Sequence, residues 1–322
     1  MSVGAYAGAS DTGRKRRRNE DSYVIAPPLF AVADGMGGAQ AGEIASRLAA
    51  AALEDSDPGS LSGEERVTSL IQEANRRVYE RSNEDPSASG MGTTITVALV
   101  EDSGVTIGHV GDSRAYRYRE GSIEQITEDH SLVNELMKSG KLSPEEAEMH
   151  PQRSVITRVL GTDPNVDVDS FTLETQEGDV FLLCSDGLTT MVDDDDILHV
   201  IEKHHDDLDR ATKSLVSAAN RGGGEDNITV IAFTISDGAE AARRSAVENE
   251  DTMENVLPAP AVDTMLVPPD EVEHVFVEPG SPEAESLTRR EPISPAARVR
   301  LVLTMLTLLG VAAVLLVWGL LR

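Results

Sequence analysis

Seven short apolar runs, rich in β-branched and aromatic residues, constrain the fold of this 322-residue chain more than any other feature. They predict β-strands at residues 22–25, 29–33, 93–100, 105–110, 115–118, 180–184 and 228–233. Several neighbouring runs are separated by only a few residues, which is too short for the helical crossover that joins parallel strands. The sequence therefore predicts antiparallel sheets.

Two pairs of helical patterns lie between these strands. They are rich in alanine and leucine and are predicted at residues 42–54, 63–83, 194–204 and 207–220. The order is a strand group, a helix pair, a second strand group, a second helix pair and a final strand. A helix with one apolar face needs a sheet face to cover. The predicted fold class is α+β, a β-sandwich of two antiparallel sheets with a helix pair on each outer face.

Composition excludes several classes of protein. The chain has 56 acidic and 28 basic residues, a formal net charge of −28, which argues against nucleic-acid binding because a polyanion repels phosphates. Residues 14–18 form a local basic run. Nucleic-acid binding there is the alternative to a single phosphate-binding arginine among solvated neighbours, and the second interpretation is preferred. The one cysteine, Cys184, excludes a disulfide scaffold and is predicted to be a buried, inert thiol.

Acidic residues stand at the ends of the predicted strands in five short motifs. These are Asn19-Glu20-Asp21, Ala33-Asp34-Gly35, Gly111-Asp112-Ser113, Ser185-Asp186-Gly187 and Glu225-Asp226-Asn227. One Asp-Gly pair is ordinary turn chemistry, but an aspartate beside a buried strand is costly unless a positive group meets it. Several carboxylates without histidine or cysteine partners predict an oxygen-ligand site that prefers Mg²⁺ or Mn²⁺ to zinc.

At these motifs the sequence resembles the protein phosphatase 2C family of metal-dependent serine/threonine phosphatases, with its bacterial branch the most similar. The matching runs are RRRNED (16–21), ADGMGG (33–38), GMGTT (90–94), VGDSR (110–114), CSDGL (184–188) and EDN (225–227). They occur in the family's order and span residues 1–235. The resemblance implies the same β-sandwich between helix pairs.

The resemblance also implies a site for two Mn²⁺ or Mg²⁺ ions. Asp34 resembles the carboxylate that bridges the two metals, and the carbonyl of Gly35 is expected to add a ligand. Asp186 and Asp226 are expected to complete the coordination of one metal. Asp21 is expected to act on the other metal, directly or through water.

Further site residues follow from the same resemblance. Glu20 is expected to act, like Asp21, on the second metal directly or through water. Asp112 resembles the ligand of a third, weaker metal, which is expected to share Asp186 and to be reached by the backbone of Ser154. Arg16 stands four residues before Glu20, the spacing of the family's phosphate-binding arginine. Residues 131–163 are expected to form a flap with two short helices beside the site.

The implied activity is hydrolysis of phosphoserine and phosphothreonine on proteins. Two dications lower the pKa of a bridging water, and the resulting hydroxide attacks phosphorus, while Arg16 and the metals stabilise the phosphoryl oxygens. Met36 stands where many relatives carry a histidine, which leaves the general acid open. The alternative is a pseudophosphatase that binds phosphoproteins without turnover, although all five predicted aspartates are present.

The C-terminal region predicts a membrane anchor. Residues 301–321 are apolar and carry no charge, and as a helix they span roughly 31 Å, close to the hydrocarbon core of a bilayer. Arginines 289, 290, 298 and 300 precede this segment and only Arg322 follows it. The positive-inside rule places the preceding residues in the cytoplasm. A buried soluble helix is the alternative to this single-pass transmembrane helix, predicted at residues 299–322 in the cytoplasmic membrane.

Residues 236–298 are acidic and proline-rich and are predicted to be a disordered tether after a phosphatase domain at residues 1–235. A membrane tether suggests that the enzyme opposes a serine/threonine protein kinase. The tether contains Asp251-Thr252-Met253 and Asp263-Thr264-Met265. This repeat is either chance similarity or a pair of phosphorylation sites.

Overall fold

Eleven β-strands and seven α-helices make up the described part of the chain, residues 1–37, 41–56 and 60–237 of a computed structural model. The strands are β1 (Ser2–Asp11), β2 (Asp21–Ala26), β3 (Leu29–Met36), β4 (Gly92–Thr93), β5 (Ile95–Glu101), β6 (Gly104–Val110), β7 (Arg114–Arg119), β8 (Ser122–Gln125), β9 (Asp169–Leu173), β10 (Val180–Cys184) and β11 (Ile228–Ser236). The helices are α1 (Ala41–Asp55), α2 (Gly63–Glu84), α3 (Leu132–Lys138), α4 (Pro144–Glu148), α5 (Asp186–Thr189), α6 (Asp194–His204) and α7 (Leu208–Gly222).

The strands form two antiparallel sheets, as predicted. One sheet has the order β1-β11-β10-β7-β8, and the other has the order β2-β3-β5-β6-β9 with β4 paired to β3. Every strand pairing is antiparallel. Short connections such as the one between β5 and β6 permit only this arrangement.

The two sheets pack face to face around an apolar core. Phe30 and Val32 of β3 lie in this core, while the alternate residues Ala31 and Ala33 face the helices. This alternation is the two-residue period of a strand whose two faces are both covered. The rings of Phe30 and Phe233, one from each sheet, stack with their centroids 4.2 Å apart, which ties the sheets together at the centre.

A helix pair covers each outer face of the sandwich. Helices α1 and α2 pack on the sheet that contains β3, and α6 and α7 pack on the sheet that contains β10. In α7 the buried residues recur at the three- and four-residue spacing of a helix face: Leu208, Ala211, Leu215 and Ala219. The four-layer architecture predicted from the sequence is confirmed.

The sequence prediction missed three strands (β1, β8 and β9) and one short helix, and it merged β4 and β5 into one strand at residues 93–100. Strand β1 has the sequence SVGAYAGASD, in which small residues give little β-propensity. It is held by a long pairing with β11, from Ser2 opposite Ser236 to Asp11 opposite Ile228. Strands β4, β8 and β9 are short, and α5 is a single turn after β10. Long-range pairing, which local patterns do not carry, decides β1 and β9, whereas β8 is the short second strand of a hairpin with β7.

The part of the chain that the structure describes contains no helix long and apolar enough to cross a bilayer. The predicted tether beyond Asp237 and the predicted transmembrane helix at residues 299–322 lie outside the described residues.

Candidate active site

The five predicted aspartates meet at one end of the sandwich. Asp21 and Asp34 are directly opposite each other where β2 begins and β3 ends. In the other sheet Cys184, the last residue of β10, is paired with Arg114 of β7 and Val230 of β11. Asp186, Asp112 and Asp226 each lie close in sequence to one of these strand ends. Strand topology therefore brings together acids that are up to about two hundred residues apart.

Two glycines allow the strand ends to approach their neighbours. A Cβ atom on Gly35 would lie 2.1 Å from the carbonyl oxygen of Gly42 in the first turn of α1. A Cβ atom on Gly187 would lie 1.9 Å from the carbonyl oxygen of Asn227. The glycine that follows each aspartate is thus required by backbone packing, whatever ligand role the Gly35 carbonyl has.

The acids raise each other's pKa. Burial is the main cause, and repulsion between the carboxylates adds to it. The pKa of Asp21 rises to about 7, with Asp186 and Asp226 contributing. The pKa of Asp112 also rises to about 7 and that of Asp186 to about 6. Burial also raises the pKa of Asp34 well above its usual value, with further repulsion from Asp21, Asp186, Asp112 and Asp226.

Three carboxylate oxygens in this cluster are buried without a hydrogen-bond partner in the described chain: Asp21 Oδ1, Asp112 Oδ1 and Asp186 Oδ1. A buried carboxylate oxygen without a donor is costly, and a hard divalent cation removes that cost. No group of three acidic, histidine or cysteine side chains within the described ranges is close enough to enclose an ion alone. Mg²⁺ commonly keeps several waters and binds through one or two carboxylates, so the residues fit hydrated Mg²⁺ or Mn²⁺.

Two hydroxyl side chains hold Asp21 in place. Ser185 Oγ donates to Asp21 Oδ2 at 2.8 Å, and Thr229 Oγ1 donates to the same oxygen at 2.6 Å. These bonds connect the two sheets and occupy Oδ2, while Oδ1 of Asp21 stays buried without a partner in the described chain. The sequence motifs did not indicate that Ser185 and Thr229 would hydrogen-bond to Asp21. The available signal was a polar residue inside each apolar run, in Leu183-Cys184-Ser185 and Ile228-Thr229-Val230.

Arg16 lies at the edge of the acid cluster. Its Nη2 atom is 2.6 Å from Asp226 Oδ2, and its side chain is 50% exposed. The pKa of Arg16 is raised, mainly by the hydrogen bond to Asp226 and also by Glu20 and Asp34. Arg18 lies instead 3.6 Å from Glu43. The structure thus places Arg16 where the resemblance predicted a phosphate-binding group, but paired with a predicted metal ligand.

Glu20 contributes its backbone as well as its side chain. The Gly35 N–H and the Ser46 hydroxyl both donate to its carbonyl oxygen, at 3.2 and 2.5 Å. The Glu20 N–H donates to Asn227 Oδ1 at 2.8 Å. Burial raises the pKa of its carboxyl, although Arg16 opposes the shift. The residue therefore fixes the turn before Asp21, a role that the sequence motif did not reveal.

A cavity of about 840 Å³ opens beside the cluster. Asp112 and Asp186 line one side, and Arg153, Ser154 and Met137 of the predicted flap line another. The flap contains the two predicted short helices, now α3 and α4. Ser154 therefore shares a cavity with the two aspartates expected at a third metal.

His130 supports the turn that carries Asp112. The Gly111 N–H donates to His130 Nδ1 at 2.9 Å, so the Nε2–H donates to Asp169 Oδ2 at 3.1 Å. Burial is the main cause that lowers the pKa of His130. Cys184 is fully buried, and burial raises the pKa of its thiol to about 12. The histidine thus provides hydrogen-bonding support to the turn, and the thiol is buried, as predicted, with a pKa that keeps it protonated near neutral pH.

Comparisons with known proteins agree with this geometry. A family model described as protein phosphatase 2C matches residues 17–221. The serine/threonine phosphatase stp of Listeria welshimeri is 40% identical over 233 residues, 69% of this chain and 92% of that protein. The serine/threonine protein phosphatase PstP of Mycobacterium tuberculosis is 39% identical over 234 residues, 72% of this chain but 45% of that protein.

Solved structures show the same architecture. The crystal structure of the Mycobacterium tuberculosis serine/threonine phosphatase PstP/Ppp has a TM-score of 0.69 at 38% identity and covers 74% of this chain and 100% of its own. The structure of the PstP catalytic domain with two manganese ions has a TM-score of 0.66 at 36% identity and covers 74% and 100%. With these matches spanning the acid cluster and both sheets, the chain belongs to the protein phosphatase 2C family.

Proposed function

We propose that the chain hydrolyses phosphoserine and phosphothreonine on proteins with the help of two Mn²⁺ or Mg²⁺ ions. The observation that carries the proposal is the set of three buried, unpaired carboxylate oxygens at the strand ends of a protein phosphatase 2C sandwich. An acid cluster of this kind has no structural purpose in the folded protein, because each acid raises the pKa of the next.

Asp34, Asp186 and Asp226 hold the ions, together with Asp21 and the Gly35 carbonyl. When bound, such ions lower the pKa of water and neutralise charge on phosphoryl oxygens. Ser185 and Thr229 fix Asp21 so that one oxygen faces the cluster. Asp112 and Ser154 serve a weaker third site across the cavity they share.

Arg16 binds the phosphoryl group of the substrate. A guanidinium forms strong, charge-assisted hydrogen bonds to phosphate oxygens, and Arg16 is half-exposed at the rim of the cluster. Its ion pair with Asp226 holds the guanidinium near the site before substrate arrives. On substrate binding the phosphoryl oxygens would take the place of Asp226 as the partner of the guanidinium.

Hydrolysis of a phosphothreonine peptide with and without Mn²⁺ separates this function from that of a pseudophosphatase. The proposed enzyme releases phosphate only when Mn²⁺ or Mg²⁺ is present, and Asp34→Asn abolishes release. Binding of the peptide without phosphate release at any metal concentration supports the pseudophosphatase instead.

The apolar segment at residues 301–321 anchors the chain in the cytoplasmic membrane, with the phosphatase domain (residues 1–235) in the cytoplasm. The support is its length, its lack of charge and the arginines before it. Membrane fractionation of the full chain and of a chain truncated after residue 298 tests the anchor. Recovery of both forms in the soluble fraction contradicts it.

A serine/threonine protein kinase at the same membrane supplies the phosphorylated substrates. The support is the proposed anchor, which confines the enzyme to substrates near the bilayer. Phosphoproteomic comparison of cells with and without the gene identifies those substrates. Accumulation of phosphothreonine mainly on proteins far from the membrane contradicts this pairing.

A further inference from the structure

A basic groove lies along the open edge of the sandwich, on a chain whose net charge is −28. Strand β1 is an edge strand that pairs only with β11 in the described chain. Consecutive β1 residues from Gly8 to Asp11 line a cavity of about 660 Å³. Because successive strand residues face opposite ways, a cavity that touches all four lies over the strand's edge and not over one face.

Positive charge concentrates on one wall of this groove. Arg14, Lys213 and Arg221 line it, and Arg210 lies in the adjoining depression with Lys213 and Arg221. The carboxylates there are Asp11 and Asp209. Asp209 pairs with Lys213 at 2.7 Å, with both side chains mostly exposed, so this pair is worth little.

The arginines of this groove are available to a ligand. Arg221 Nη1 donates to Ser217 Oγ at 2.7 Å. Within the described residues, none of Arg14, Arg210 and Arg221 has a carboxylate within salt-bridge distance. Their guanidinium groups therefore face solvent at a place where the backbone edge of β1 is also open.

The other wall of the groove is aromatic. Tyr23, from β2 of the second sheet, lines it and is 44% exposed. An open strand edge, an exposed ring and a row of cations are together suited to an extended acidic peptide: the strand edge pairs with its backbone, the ring packs on an apolar side chain, and the cations attract its carboxylates.

We propose that this groove binds residues 247–254 of the chain's own C-terminal segment. That segment reads VENEDTME and carries four carboxylates, Glu248, Glu250, Asp251 and Glu254, with Val247 and Met253 as apolar residues. Charge complementarity with the cations of the groove selects it.

The chain between the end of β11 and residues 247–254 is long enough to reach the groove. Ala9 and Ser10 in the groove are opposite Val230 and Thr229 of β11, so the groove lies about 20 Å along that strand from Ser236, at ~3.3 Å per residue. The twelve residues from Ser236 to Glu248 reach up to about 40 Å when extended. Attachment to β11 also gives the segment a high effective concentration at the groove.

The docked segment lies next to the loop that carries Arg16. The Arg14 and Lys15 N–H groups both donate to the Gly224 carbonyl, two residues before Asp226. Phosphorylation of Thr252 would add about −1.5 to −2 charges at pH 7 and strengthen docking. The proposal concerns binding only and does not depend on whether the chain is an active phosphatase.

Binding of a labelled peptide of residues 245–256 to the full chain in uncharged detergent tests the proposal. The unmodified chain should bind weakly, because its own segment competes. A tail-neutral chain with Glu248→Gln, Glu250→Gln, Asp251→Asn and Glu254→Gln should bind at least fivefold more tightly, since its groove is empty. Equal affinity of these two chains overturns the proposal.

Two variants of the tail-neutral chain locate the site. Lys213→Glu with Arg221→Glu should weaken peptide binding at least tenfold. The control, Lys203→Glu with Arg81→Glu, makes the same charge change outside the groove and should bind within twofold of its parent. A circular-dichroism spectrum and a melting temperature that match those of the parent verify that each variant is folded. Equal peptide binding by the two variants overturns the proposal. It is also overturned if Lys213→Glu with Arg221→Glu abolishes binding of the chain to phosphatidylserine vesicles but leaves peptide binding unchanged.

Discussion

Strand β10 carries a buried aspartate at each end, and the two have opposite surroundings. Asp179 precedes the strand with a fully buried side chain, and Arg119 donates to both of its oxygens at 2.6 Å. The Gln176 N–H also donates to Asp179. Asp186 follows the strand, shares its space with other acids and has a buried oxygen without a partner. The protein itself satisfies the first acid, whereas the second requires a cation from outside.

The difference between Asp179 and Asp186 shows how a structural acid can be distinguished from a metal-binding acid. Both residues border the same apolar strand, and both are costly to bury. Burial therefore does not identify function. What identifies it is whether the protein supplies hydrogen-bond donors, and Asp186 Oδ1 has none in the described chain.

Substitutions of the aspartates at the two ends of β10 should differ most in their effect on activity. Asp186→Asn removes a proposed metal ligand and should lower kcat for a phosphothreonine peptide by about a thousandfold or more, on the order of 4 kcal/mol of transition-state stabilisation. Asp179→Asn should keep kcat within about threefold when assayed well below its melting temperature. Steady-state kinetics in saturating Mn²⁺ measures both, and equal losses would remove the distinction.

For stability the order of the two variants should be reversed: Asp179→Asn should destabilise the protein, and Asp186→Asn should not. Asp179→Asn leaves the Arg119 guanidinium without its charged partner, and its cost should be about 3 kcal/mol, at the lower limit for a buried pair because Arg119 is partly exposed. Asp186→Asn relieves repulsion and should stabilise the protein in EDTA by about 1–2 kcal/mol. Urea unfolding of both variants in EDTA is the measurement.

The pH dependence of metal-free stability is the third test. The pKa values of Asp21, Asp112 and Asp186 are about 7, 7 and 6 in the folded protein, against about 3.9 in an unfolded chain. The folded state therefore binds more protons between these values, so the free energy of unfolding should fall as pH rises through 6–7.

Melting temperatures in EDTA should accordingly decrease from pH 5 to pH 8. Mn²⁺ should remove most of this decrease, because metal binding needs deprotonated ligands and improves as pH rises. The Asp179→Asn variant should show the same slope from a lower starting temperature. A melting temperature in EDTA that rises over this range would be incompatible with the raised pKa values.

The smallest predicted effect is on substrate binding by Arg16, at the edge of the acid cluster. Arg16→Ala should raise KM for a phosphopeptide about tenfold, or about 1.4 kcal/mol, with a smaller change in kcat, because it removes a phosphate contact but no metal ligand. Arg17→Ala is the matched control and should change KM less than twofold. A larger effect at Arg17 would move the phosphate-binding role within the arginine run.

The sequence predicted the architecture and the family because both depend on patterns that are local. Apolar runs, helix faces and aspartates at strand ends can be read within short windows, and the sandwich, its helix pairs and the protein phosphatase 2C family are confirmed. The individual ligand roles stay predictions.

Contacts across long separations could not be read from the sequence. Nothing near Asp179 indicates that Arg119, sixty residues away, is its partner, so the contrast with Asp186 is invisible in the motifs. The same holds for Thr229 and Ser185, which fix Asp21 from another sheet. Strand β1 was missed for this reason too, since its pairing with β11 outweighs its weak local propensity.

Titration of Mn²⁺ into the metal-free full chain at pH 6, in two buffers of different ionisation enthalpy, tests the central claim most directly. If the unpaired acids at the strand ends hold the ions, Mn²⁺ must displace protons from groups with pKa values near 6 and 7. We expect proton release at pH 6 that decreases strongly by pH 8. Asp179→Asn should retain this release, and Asp186→Asn should reduce it. Mn²⁺ binding without proton release at pH 6, or binding unaffected by Asp186→Asn, would contradict it.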